Sequence, residues 1–292
     1  MSVLNNSAVI GLLGAPPPAA AGGISRSLRF NSSDSAYLSR TPASAGNRKT
    51  WTWAGWVKRS AVGSGTYAIA DARTGSNESP IMFGETTADT LSVYEYSGGF
   101  VWQLRTTQVF RDPSAWFHLC IAVDTTQATA SNRVKIYVNG SEVTAFAVST
   151  YPSQNHDTFW STTNVHTIGA KALINTYFNG YLADIYFIDG QALTPSSFTE
   201  TDATTGQLVE KAYTGSYGTN GFHLEFADNS SNTATTLGKD TSGNGNNWTP
   251  NNLSVADGVT TGTGALSIYN TSGPTGATKG TGTRTDSNSS SI

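Results

Sequence analysis

The segment SQNHDTFW, residues 153–160, carries the side chains best suited to gripping a ligand. Gln154, Asn155, His156 and Asp157 supply donors and acceptors, and Trp160 supplies a flat apolar ring. Such a set suits a hydroxyl-rich ligand, a glycan above all, although its spacing is not diagnostic. Tyr96, Trp102, Tyr151 and Trp248 also stand near loop signals, as candidates of the same kind or as plugs over the edge of a core. Other chemistry finds little support. The four histidines, His118, His156, His166 and His223, lack metal-ligand spacing. No Gly-rich phosphate loop follows a strand pattern. The single cysteine, Cys120, lies in the apolar run FHLCIAV. It reads as a buried thiol, not a nucleophile, and excludes an intrachain disulfide framework.

The elements that must position these residues are strands. Among 292 residues, 37% are hydrophobic, only 13% are charged, and 30 are glycine. That balance fits short strands and many turns rather than helices rich in Glu, Lys and Leu. In WTWAGWVKRS, residues 51–60, three tryptophans fall within six positions. Alternation along a strand puts Trp51, Trp53, Gly55 and Val57 on one face, and Thr52, Ala54, Trp56 and Lys58 on the other. Trp51 and Trp53 are expected in the core. Trp56 is expected to pack under a loop, under a C-terminal excursion, or against another subunit. RVKIYVNGSEV reads as a hairpin, because Asn139-Gly140 suits a type I′ turn. In LTPSSFTE, Thr194 is expected to cap a short helical turn that has Pro195 at its first position.

Four segments follow from the pattern. Residues 1–24 form an extended arm stiffened by Pro16, Pro17 and Pro18. The arm imitates a signal peptide, but no Lys or Arg precedes its apolar run and the prolines interrupt it. Residues 25–200 are a run of strands punctuated by turns, an antiparallel β-sandwich. Residues 201–253 are a polar extension with at least one added strand, GFHLEF. Residues 254–292 are an irregular polar tail. The two ends cannot bury enough apolar surface to order themselves, and neighbouring subunits are expected to hold them. A net charge of −3 argues against nucleic acid as a partner. No stretch reaches the roughly 18 apolar residues of a membrane span.

SLRFNSSDSAYLSR, TWTWAGWVKRS, WFHLCIAVD, VKIYVNGSEV and FNGYLADIYFIDGQALTPSSF occur in that order. In this order they resemble the laminin-G-like, concanavalin A-like jelly roll over residues 25–200. The resemblance implies a lectin-like sandwich. It makes calcium the plausible cofactor, with Asp34 and Asp184 as candidate ligands. Many relatives carry Ile-Asp-Glu where this chain has Leu182, Ala183 and Asp184, so one oxygen ligand of the usual set is missing. DTSGNGN, residues 240–246, mimics a calcium loop, and a Gly-Asn turn explains it equally well. Jelly-roll glucanases carry Glu-X-Asp-X-Glu on one strand. The nearest match, ETDAT at 200–204, lacks the second Glu, so an enzyme is not expected.

YLADIYFIDGQALTPSSF, followed later by DTSGNGNNWTPNN, is similar to virion structural proteins of tailed bacteriophages. The expectation is a non-enzymatic virion protein on the particle surface, most simply a capsid decoration protein anchored by its ends. Its partners would be the major capsid protein, other virion proteins, and further copies in a homo-oligomer. The alternative is a tail-fibre or spike adhesin that binds a cell-surface glycan.

Overall fold

The computed structural model describes residues 26–171, 175–253 and 255. The expected arm and nearly all of the expected tail lie outside them. In chain order the strands are β1 (Leu28–Phe30), β2 (Tyr37–Arg40), β3 (Thr50–Arg59), β4 (Tyr67–Thr74), β5 (Asn77–Glu78), β6 (Ile81–Phe83) and β7 (Thr90–Tyr96). Next come β8 (Phe100–Val109), β9 (Phe117–Asp124), β10 (Val134–Val138), β11 (Ser141–Glu142), β12 (Phe146–Thr150) and β13 (His166–Ile168). The last are β14 (Ala170–Lys171), β15 (Thr176–Tyr177), β16 (Gly180–Asp189), β17 (Thr199–Thr201), β18 (Leu208–Glu210), β19 (Phe222–Leu224) and β20 (Thr249–Asn251). Helical structure among the described residues is limited to three-residue 3₁₀ turns. One of them, Pro195–Ser197, begins with Pro195 as expected. The Thr194 hydroxyl pairs with Ser196 rather than capping the turn.

Two antiparallel sheets face each other, as the alternating pattern predicts. The first runs β1-β16-β3-β9-β10-β11. β19 joins the same edge of β16 as β1, with β1 opposite 180–182 and β19 opposite 185–187. The second runs β12-β8-β7-β5-β4-β13-β2-β20, with β6 bridging β4 and β7. The β10–β11 hairpin turns at Asn139 (φ 49°) and Gly140 (φ 80°), two left-handed residues in succession as a type I′ turn requires.

Trp51, Trp53 and Val57 lie in the core between the sheets, and Ala54 and Trp56 face outward, as expected. The outer face is nevertheless buried. Phe198, Tyr213 and Tyr217 close over Ala54, Cys120 and Tyr186, and Leu208 packs on Trp56 and Ala183. Of the three covers open to Trp56, the structure shows two, Leu208 of the C-terminal excursion and Trp116 of the loop before β9. The extension reaches the core as well, where it inserts Phe222, Leu224, Leu237, Trp248 and Leu253. Val255 packs at the core's edge.

Candidate functional site

The loop 153–160 is pinned across one end of the sandwich. Asn155 N–H and Gln154 Nε2 donate to the carbonyls of Thr125 and Thr126. Thr158 accepts the indole N–H of Trp51 at 2.9 Å. His156 Nε2 meets Oε1 of the buried Glu95 at 2.5 Å, and Phe159 N–H donates to the other carboxylate oxygen at 3.0 Å. The histidine therefore tethers the loop to β7. Gln154, Asn155 and Asp157 remain exposed.

Trp160 does not join them, which corrects the expected patch. The residue is 1% exposed. Its ring stacks on Phe187 at 5.5 Å and packs on Trp51 at 5.3 Å, and its N–H donates to the Ser79 carbonyl. Loop signals flank it in sequence, but the chain dips from the open end into the core there. Trp102 and Trp248 are buried in the same core. Tyr96 and Tyr151 stay half-buried.

A second surface, on the outer face of the second sheet, has a different composition. Leu91, Val93, Trp102 and Leu104 point into the core. Alternation sends Ser92, Tyr94 and Tyr96 of β7, and Gln103 and Arg105 of β8, to the outside. The register pairs Tyr94 with Gln103 and Ser92 with Arg105. A shift between Glu95 and Tyr96 makes Phe100 the partner of Tyr96. This bulge turns Phe100 onto the outer face. Its ring stands edge-on to Tyr94 at 5.2 Å and to Tyr96 at 5.5 Å, and it is 49% exposed. The result is a platform along β7 and β8: Phe100 and, in part, Tyr96 lie open at the hairpin tip, Tyr94, Gln103 and Ser92 are buried behind them, and Arg105 is half-buried at the far end. Gln103 Nε2 donates to Glu85 at 3.1 Å.

Beside the platform lies a buried ionic network. Glu78 accepts from Arg73 at 3.0 Å, from Lys171 at 2.5 Å and from the Tyr94 hydroxyl at 3.0 Å. Burial pushes the Asp71 carboxyl up to about 7, against the pull of Arg73. Several atoms of this face are buried without a hydrogen-bond partner among the described residues: Asp71 Oδ2, Arg73 Nε and Nη1, Ser92 Oγ and Arg105 Nε. Unpaired polar atoms occur elsewhere too, as with the indole N–H groups of Trp53, Trp102 and Trp248. Those three are enclosed in the core, and Trp56 Nε1 and His118 Nδ1 are unpaired on the outer face of the first sheet. Asp71, Arg73 and Ser92 are themselves buried, and of these residues only Arg105 is open enough to offer its donors to a polar ligand.

Sequence reasoning singled out Tyr96 and missed Phe100, Gln103 and Arg105. The alternation in TLSVYEY and FVWQLRT was the available signal. The bulge that swings Phe100 outward leaves no trace in composition.

The two candidate calcium ligands are not brought together. β1 pairs Phe30 with Gly180 and Leu28 with Leu182. Asp34 continues past one end of that ladder, and Asp184 lies beyond the other. Asp34 accepts from Asn31 Nδ2. Asp184 occupies a bulge of β16 at φ 50° and meets His223 Nε2 at 2.5 Å. The His223 ring stacks 4.0 Å from that of Tyr186. In the calcium-like loop, the Asp240 carboxylate accepts from the backbone N–H groups of His223, Ser242 and Asn246 and from the Ser242 hydroxyl. The turn explanation accounts for this loop. Among the described residues no group of three or more His, Cys, Asp or Glu is arranged to hold a metal ion.

The fold has relatives of known structure. A Bacteroides ovatus protein designated a candidate carbohydrate-binding protein superposes with a TM-score of 0.52 at 14% identity. That match covers 85% of this chain, and the chain spans only 62% of that protein. The heptameric SAP-like pentraxin of Limulus polyphemus matches at TM-score 0.43 and 13% identity, over 64% of this chain and 92% of that one. Mouse laminin α1 domains LG4-5 match at TM-score 0.41 and 12% identity, over 67% and 47%. No curated protein sequence matches the chain. The family model for concanavalin A-like lectins and glucanases, of laminin-G type, matches residues 30–199. With the sandwich topology and the motif order, this match shows that the chain belongs to the concanavalin A-like lectin/glucanase superfamily.

Proposed function

We propose that this chain is a non-enzymatic glycan-binding protein displayed on the surface of a tailed-phage virion. The observation that carries the glycan reading is the β7–β8 platform. Two open rings, Tyr96 and Phe100, backed by the buried Tyr94, lead along the sheet to Arg105, whose side chain has no hydrogen-bond partner among the described residues. Sugars offer apolar C–H faces to rings and hydroxyls to polar groups, and the platform provides both in sequence. The carbohydrate assignment of the Bacteroides ovatus protein agrees with this reading. No bond-breaking role is assigned. Glu78 is locked by three donors and Asp71 is buried beneath the surface, so neither carboxylate is open to a substrate.

The virion setting rests on sequence similarity of residues 181–198 and 240–252 to phage structural proteins. Capsid decoration, with the termini as tethers and further copies as neighbours, is the preferred location. A tail-fibre or spike adhesin is the alternative. A glycan array with the isolated protein tests the binding. Wild type should retain a defined class of glycan, and Tyr96→Ala/Phe100→Ala should weaken it about tenfold or more. A folded double variant that binds as wild type does would refute the platform. A density map of the particle would place the chain on capsid or tail.

A further inference from the structure

Nine of the chain's arginines lie among the described residues. Eight donate to a carbonyl, an amide oxygen or a carboxylate. The Arg105 side chain makes no hydrogen bond or ion pair with any described residue, and its Nε is buried. Its register partner across β7 is Ser92, whose buried Oγ is also unpaired. Such directly opposed side chains have Cβ atoms about 4.5–5.5 Å apart. A half-buried guanidinium has lost part of its hydration and gained no acceptor in return. Its planar fork matches an oxyanion bidentately, and Ser92, fully buried, forms the floor beneath it.

We infer that Arg105, standing over the buried Ser92, forms an anion subsite that takes the carboxylate or sulfate of an acidic oligosaccharide. The inference rests on the glycan-binding reading of the same face and names the ligand class. The geometry also orders the ligand. Tyr96 and Phe100 stand at the hairpin tip, and Ser92 lies four residues further along β7, roughly 13 Å at strand rise. Glu85 sits between, hydrogen-bonded to Gln103, and repels negative charge there. The anionic group therefore belongs at the Arg105 end, with uncharged ring faces on the aromatics. A single sugar cannot reach both ends.

The test uses the full chain in calorimetric titrations. The probes are oligosaccharides of galacturonate, mannuronate, sialylated lactose and sulfated galactan, each paired with its neutral counterpart made by methyl esterification or desulfation. Wild type should prefer at least one acidic probe over its counterpart by about 10- to 100-fold, the range for a hydrogen bond to a charged group. Arg105→Gln should erase that preference, with the melting temperature unchanged. Arg105→Lys should keep part of the preference. Whether the carboxylated or the sulfated arm shows the effect identifies the anion. Equal binding of acidic and neutral probes by wild type would overturn the subsite and leave the platform intact. So would a preference that survives in Arg105→Gln. If wild type binds none of the probes, acidic or neutral, the platform falls together with the subsite.

Discussion

Trp160 offers a sharp test of where this protein keeps its rings. Trp160→Ala removes a side chain that packs on Trp51 at 5.3 Å, His166 at 5.6 Å and Phe187 at 5.5 Å. It also strips the Ser79 carbonyl of a donor at 3.0 Å. Truncating a core aromatic costs roughly 3–5 kcal/mol, and the orphaned carbonyl pushes this case toward the upper end. Trp160→Phe keeps most of the packing and loses the N–H donor, so it should cost about 1–2 kcal/mol. For a domain of this size, each kcal/mol lowers the melting temperature by about 2–4 °C. The alanine variant should therefore melt roughly 6–20 °C below wild type, and the phenylalanine variant only a few degrees below it. Thermal unfolding followed by far-UV circular dichroism measures both, with urea titrations to check that the slope m is unchanged. Should Trp160→Ala melt within about 3 °C of wild type but lose glycan binding, the ring would be a ligand platform and the core assignment would be wrong.

Two further outcomes follow from burial. Burial pushes His118 down from 6.5 to about 3. As pH falls, the unfolded chain takes up the proton first, so His118 contributes full stability above about 6.5 and loses it toward 3. Urea midpoints at pH 7, 5 and 4 should show wild type falling relative to His118→Phe by up to ~1.4 kcal/mol per pH unit; a constant difference would mean that the imidazole does not titrate as a buried neutral group. A chain ended at residue 200, just past the family match, should fail to fold cooperatively, because it loses β19, β20 and the core side chains of Phe222, Leu224 and Trp248. A sharp, wild-type-like transition in that fragment would show the extension to be dispensable.

The sandwich was legible because its signals are local. Alternation in TWTWAGWVKR assigns Trp51 and Trp53 to one side and Trp56 to the other, with no knowledge of the partner sheet. Asn139-Gly140 specifies its turn by backbone preference alone. The site was only partly legible because its signals are not local. His156 looks like a ligand-binding histidine until Glu95, 61 positions earlier, is found beneath it. Trp160 looks exposed because its neighbours in sequence are polar, yet its neighbours in space are Trp51 and Phe187. Arg105 looks like any surface cation, and only the full set of contacts shows that it lacks a partner.

The two outer faces differ in what the chain lays over them. On the first sheet, the outward residues of β3, β9 and β16 include Ala54, Cys120, Ala122 and Ala183, all small. Small apolar side chains on an outer face imply a cover that fits closely over them. Residues 193–217 supply it, with rings that fill the space the small residues leave. That face is finished by the chain itself. On the second sheet, the outward residues of β7 and β8 are Ser92, Tyr94, Tyr96, Gln103 and Arg105, and among the described residues Ser92 Oγ and Arg105 Nε have no partner. The second face carries an open aromatic pair, Tyr96 and Phe100, and a half-buried Arg105 whose side chain has no partner among the described residues, and the glycan site proposed above lies there. A particle-bound copy that still binds glycan must then attach through the covered side, the sheet edges or its termini. Substitutions along β7 and β8 would alter ligand binding and leave particle occupancy unchanged.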